Sequence, residues 1–118
     1  METKIIKIDS WELTSAKNLF ENFSSLKSFE GDLSSLECGN YMFSGCCELT
    51  TFYSDLGSLT DGYSMFLGCT KLTTFASDSN GSPVNLSSLT NGEQMFLGCT
   101  SLQTFSSDFG GSTRADGT

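Results

Sequence analysis

The chain has 118 residues, one domain's worth of structure, with ten Phe, three Tyr, one Trp, one Pro and no His. Its formal charge of −8 lies entirely beyond residue 27: up to there Lys4, Lys7, Lys17 and Lys27 balance Glu2, Asp9, Glu12 and Glu21, and after it Lys71 and Arg114 face ten acids. An acidic surface with scattered lysines excludes nucleic acid as a partner and leaves room for a cationic one; no run approaches the ~20 apolar residues of a membrane span, which excludes membrane insertion.

In chain order, Met1 to Ser10 alternates Lys and Ile and shows no secretory signal peptide. Residues 4–18 read as half of a repeat, with Ile6, Asp9 and Leu13 in the places later held by Phe52, Asp55 and Leu59, and with Trp11 covering the open end. A copy follows from Leu19 to Phe29. Three clearer copies run from Met42 to Phe52 (Met-Phe-Ser-Gly-Cys-Cys-Glu-Leu-Thr-Thr-Phe), Met65 to Phe75 (Met-Phe-Leu-Gly-Cys-Thr-Lys-Leu-Thr-Thr-Phe) and Met95 to Phe105 (Met-Phe-Leu-Gly-Cys-Thr-Ser-Leu-Gln-Thr-Phe). The starts are spaced 23, 23 and 30 residues, so the last interval holds an insertion, 79–85, whose Gly and Pro mark a loop. A period of this length means a stacked-repeat architecture. The expected domain is therefore 1–109, with a flexible polar tail at 110–118.

Within each copy the apolar positions recur: Met42, Phe43, Cys46, Leu49, Phe52, Leu56 and Leu59, then Met65, Phe66, Cys69, Leu72, Phe75, Leu86 and Leu89. The 1-4-7 spacing from Phe43 predicts a short helical turn. The Thr and Phe that follow predict a strand near Leu49 to Tyr53, stacking on its copies about 4.8 Å apart in a parallel sheet. The fold class is then an α/β repeat, a solenoid of about four coils with a parallel β-sheet on one side and short helical turns or loops on the other. Neighbouring coils bury what one coil would expose. Gly45, Gly68, Gly98 and Asn22 share one slot, read as a left-handed residue ending the turn. Gly39, Gly62 and Gly92 share a second.

The unit Met-Phe-x-Gly-Cys-x-x-Leu-x-x-Phe, followed by Asp-Leu-x-Ser-Leu-x-x-Gly, resembles the BspA-like leucine-rich repeats of surface proteins over residues 19–109. Phe52, Phe75 and Phe105 stand where that family has Ile, and Ser-Asp replaces its Ile-Pro step. The resemblance implies a leucine-rich-repeat solenoid, on bacterial or protozoan surfaces or secreted, that binds host proteins or other cells. It names no ligand.

Three sets of residues are candidates for chemistry. Cys46, Cys69 and Cys99 fall in one slot; because Phe23 fills it in the first copy, it reads as a structural core position. Cys38 and Cys47 lie off this ladder, and an odd total of five Cys gives no complete disulfide framework. Asp9, Asp32, Asp55 and Asp78 recur every 23 residues, with Asp108 at 30 more. They read as turn residues bonding backbone N–H groups, with a Ca²⁺-binding ladder as the alternative. Tyr41, Tyr53 and Tyr63 all occupy positions that vary between copies, and Tyr is a common interface anchor.

No His base, phosphate-cradling Gly loop or nucleophile beside a base is present, so no enzyme and no cofactor is expected. The expected function is a non-catalytic recognition module binding protein or glycan. The rivals are a structural spacer and a Ca²⁺-stabilised array. Ends without polar caps would permit end-to-end self-association.

Overall fold

The computed structural model describes residues 4–8, 14–102 and 107–108, with side chains described over 14–102. Expectations at Asp9, Trp11, Leu13, Phe105 and 110–118 lie outside the described residues. Thr-Phe segments extend, as their β-branched and aromatic residues favour. The strands are β1 (Lys4–Ile8), β2 (Leu26–Gly31), β3 (Thr51–Tyr53) and β4 (Thr74–Ala76), ordered β1-β2-β3-β4 in one parallel sheet. Register follows the repeat: Ile6 pairs Phe29, Phe29 pairs Phe52, and Phe52 pairs Phe75. A second row of parallel bridges joins Ser15, Cys38, Asp61 and Asn91.

The core is an aromatic herringbone. Phe20, Phe43, Phe66 and Phe96 stack face to face at 5.4, 5.2 and 5.5 Å between centroids. Phe29, Phe52 and Phe75 form a second stack at 5.6 and 5.3 Å. The stacks meet edge to face, for example Phe52 with Phe66 at 5.0 Å and 80°. Such geometry sets the positive ring edge against the negative face. Leu26, Leu33, Leu36, Leu49, Leu56, Leu59, Met42 and Met65 are fully buried around it. Each contributes on the order of 1.5–3 kcal/mol.

The expected four-coil leucine-rich-repeat solenoid with helical turns is corrected here: none of the described residues is helical. Met42 to Leu49 is a run of tight turns. An α-helix returns each N–H to the carbonyl four residues back in its own segment. Here alternate N–H groups leave the segment: those of Gly39, Tyr41, Phe43 and Gly45 donate to the carbonyls of Asp61, Tyr63, Met65 and Leu67 in the next repeat, at 2.7–3.1 Å. The N–H groups between them, of Met42, Ser44 and Cys46, donate three residues back to Gly39, Tyr41 and Phe43. Two hydrogen-bond systems thus share one segment, and cross-linking between repeats replaces the helix.

Among the described residues, the fourth copy adds no strand to this sheet. Beyond β4, the chain turns through Asp78 and Gly81 and forms β5 (Val84–Asn85), which pairs in parallel with β6 (Ser107–Asp108) as a separate two-stranded sheet. Val84 and Asn85, expected inside the insertion, are therefore strand residues, and Val84 is buried. The result is a small β-structure of two short parallel sheets and cross-linked turns.

Two backbone slots adopt positive φ. Gly45, Gly68 and Gly98 lie at 77–84° and Asn22 at 61°, as expected from the sequence. Asn18, Tyr41, Ser64 and Gln94 form a second left-handed slot, at 54–62°. No glycine marks it, and the sequence pattern does not reveal it. Gly39 is small for a different reason: a Cβ there would lie 3.1 Å from Met65 Sδ and Cε.

Candidate recognition surface

The cysteine slot lies in the core. Cys46, Cys69 and Cys99 are buried, and each thiol donates to a carbonyl of the repeat before it: Phe20, Phe43 and Phe66, at 3.2, 3.2 and 3.1 Å. All five cysteines are free thiols, with Cys38 half-buried and Cys47 exposed. Burial pushes the Cys46 thiol up to about 11. Hydrogen bonding to Cys99 and burial push Cys69 upward as well. Held neutral, Cys46 and Cys69 are poor nucleophiles and poor metal ligands; the hydrogen bond with Cys69 shifts Cys99 down instead.

The carboxylate ladder is not continuous. Asp55 Oδ1 accepts from Leu56 N at 3.1 Å and from Asn85 N at 2.7 Å. Asn85 pairs Asp108 across β5 and β6, so Asn85, not Asp78, follows Asp55 in the ladder. Asp78 belongs to the insertion, where its Oδ1 accepts from Asn80 N at 2.9 Å and Ser82 N at 3.2 Å. Asp32 Oδ1 accepts from Ser34 N at 3.0 Å. Hydrogen bonds from Ser34 lower the Asp32 pKa, and those from Ser82 and Asn80 lower that of Asp78. The spacing of 23 that links Asp55 to Asp78 arises because the seven-residue insertion begins at Asp78, one residue earlier than the sequence pattern placed it. Among the described residues no cluster of His, Cys, Asp and Glu could hold a metal ion.

The tyrosines divide. Tyr41 and Tyr63 meet edge to face, with ring centroids 5.5 Å apart and planes at 79°. Their separation of 22 residues is one short of the repeat, which puts them in adjacent slots of adjacent repeats. That arithmetic was open to the sequence. Tyr53 lies in β3 between Glu30 and Ala76 in register, and the pair does not include it.

Around the pair is a polar frame. Asp61 Oδ1 accepts from Tyr63 N at 3.3 Å, and Asp61 Oδ2 accepts from Asn40 Nδ2 at 3.2 Å. Glu93 follows Tyr63 in the same slot of the next repeat, and Ser64 N donates to its carbonyl at 3.0 Å. The Tyr63 phenol is pushed up, first by its hydrogen bond with Tyr41 and the charge of that ring, and also by Glu93. Asn40 and Glu93 share the slot of Tyr63, which varies between repeats, and Asp61 lies two residues before Tyr63 in the same turn. Their convergence on Tyr63 needs the stacked repeats.

No family model, curated protein or solved structure matches the chain.

Proposed function

We propose that the chain is a non-catalytic recognition module that binds a protein or glycan through the edge formed by Tyr41 and Tyr63. The Tyr41–Tyr63 contact carries this reading: two amphipathic rings meet on the surface at positions that vary between repeats, while the core slots stay constant. Rigid aromatic side chains give contact area at little entropic cost. Tyr53 is a separate contact candidate on β3. The resemblance to BspA-like surface repeats supports an extracellular or cell-surface setting.

The repeat itself supplies conservative variants. Ser64 occupies the Tyr41 slot in the next repeat, and Asn40 occupies the Tyr63 slot in the previous one. Tyr41→Ser and Tyr63→Asn therefore remove the rings without changing the backbone requirement. Arrays of host proteins and glycans probed with the wild type and both variants test the reading. Binding that falls in both variants supports it. No binding by any form would leave the spacer reading.

End-to-end association has its own supporting observation. Leu19 is 47% exposed, whereas Met42, Met65 and Met95, in the same slot, are 0% exposed. Sedimentation over a concentration series tests it, with Leu19→Lys expected to abolish any assembly.

A further inference from the structure

We propose, resting on that reading, that the Tyr41–Tyr63 edge takes a cationic side chain, an arginine or lysine on a basic segment of a partner protein. The aromatic face attracts cations through its quadrupole, most strongly when carboxylates stand beside it. Both parts are in place. The Asp61 carboxylate is fixed next to Tyr63 by the Tyr63 N–H and by Asn40 Nδ2. Those two bonds leave lone pairs on both oxygens, since an ionised carboxylate accepts at about four sites. Glu93 flanks Tyr63 on the other side along its column of stacked slots.

Neither Asp61 nor Glu93 takes part in an ion pair among the described residues. Lys27 and Lys71 are both drawn to Glu48, at 3.1 Å each, which sits in another slot. Lys17 lies two repeats before Tyr63 in the same column, roughly 10 Å away at the ordinary strand spacing. Among the described residues the nearby acids form no ion pair, and the overall −8 steers basic partners toward them. A neutral sugar would gain from the rings but nothing from the two charges.

The test uses the full chain and a capped peptide, Gly-Arg-Gly-Arg-Gly-Arg-Gly, with its citrulline counterpart as the uncharged control and a neutral hexasaccharide as the glycan arm. Titration is followed by calorimetry and by NMR shifts of Tyr63 and Asp61. The arginine peptide is expected to bind, the citrulline peptide at least several-fold more weakly, and binding is expected to weaken as salt rises. Tyr63→Asn and Asp61→Asn should each weaken it about 2- to 5-fold, the scale of an exposed cation–aromatic contact. Asn91 fills the Asp61 slot in the next repeat, so that variant keeps the turn. Asp78→Asn removes one charge from the insertion and should change nothing.

Equal binding of the two peptides, absence of binding by the arginine peptide, an equal effect of Asp78→Asn, or saccharide binding at Tyr63 would each overturn the proposal. If the arrays return a partner whose binding falls in Tyr41→Ser and Tyr63→Asn but is unchanged by Asp61→Asn and by salt, this inference fails while the recognition reading stands. If they return none, the recognition reading itself fails.

Discussion

The Cys69 thiol donates to the carbonyl of Phe43, 3.2 Å away in the preceding repeat, and the same bond recurs from Cys46 to Phe20 and from Cys99 to Phe66. A residue type associated with reactivity here acts as a small core group that ties one repeat to the next. Thiol labelling of the native protein should modify Cys47 quickly, Cys38 more slowly, and Cys46, Cys69 and Cys99 only on unfolding. Denatured protein should give five free thiols; fewer in oxidised material would contradict this assignment. Cys69→Ala should cost about 1–3 kcal/mol, from one lost hydrogen bond and a small cavity.

The raised pKa of Cys46 has a consequence at high pH. Its value of about 11 in the fold exceeds the 9.0 of a free thiol. Between those values the unfolded chain has lost the proton and the folded chain keeps it. The stabilisation is therefore complete below about pH 9 and disappears as pH rises through 11, by on the order of 1–2 kcal/mol. Urea unfolding midpoints measured from pH 8 to 11 should fall, and fall less in Cys46→Ala.

Phe66 touches Phe43, Phe52, Phe75 and Phe96, linking both stacks. Phe66→Ala should cost about 3–5 kcal/mol, enough to unfold a marginal domain. Phe66→Leu keeps most of the volume and should retain the fold at a cost of about 1–1.5 kcal/mol. Circular dichroism melts distinguish the two.

Gly68 has φ of 79°, and Gly98 the same conformation at 84°. Gly68→Ala should cost about 1–2 kcal/mol from left-handed strain alone. Gly39→Ala should be costly through contact with Met65 instead, so a smaller residue at position 65 should relieve it, but no such change should relieve Gly68→Ala. Asn22→Gly should be near neutral, because Asn already tolerates this conformation.

Asp32, Asp55 and Asp78 already accept backbone N–H groups, so Ca²⁺ and chelator should leave the melting curve unchanged; a rise with Ca²⁺ would revive the cation-ladder reading. The Asp32 and Asp78 pKa values are lowered in the fold. Their contribution is present above about pH 4 and lost as pH falls below it. An Asp32→Asn, Asp78→Asn double variant should show a shallower acid-induced loss in unfolding midpoint.

Much of this arrangement is legible in the residues themselves. The spacing of Leu19, Met42 and Met65 determines the 23-residue offset, and with it the register of Phe29, Phe52 and Phe75. The recurrence of Gly45, Gly68 and Gly98 with Asn22 determines a left-handed slot, since few other residues accept that backbone. Phe23 in a cysteine position identifies a packing site. These properties are local or periodic, so one chain read alone contains them.

Tertiary structure decided the rest. The 1-4-7 spacing from Phe43 states which side chains face inward, and a helix and a run of three-residue turns share that answer. They differ in where the N–H groups go. Gly39, Tyr41, Phe43 and Gly45 donate to the next repeat because its carbonyls are there to accept, and no local pattern records that neighbour. The same stacking lets Asn85 replace Asp78 in the ladder, holds Tyr41 at φ 60° without a glycine, and brings Tyr41 to Tyr63 and Asp61 to Asn40. Hydrogen-bond partners and surface pairings are properties of two repeats together, and only their packing determines them.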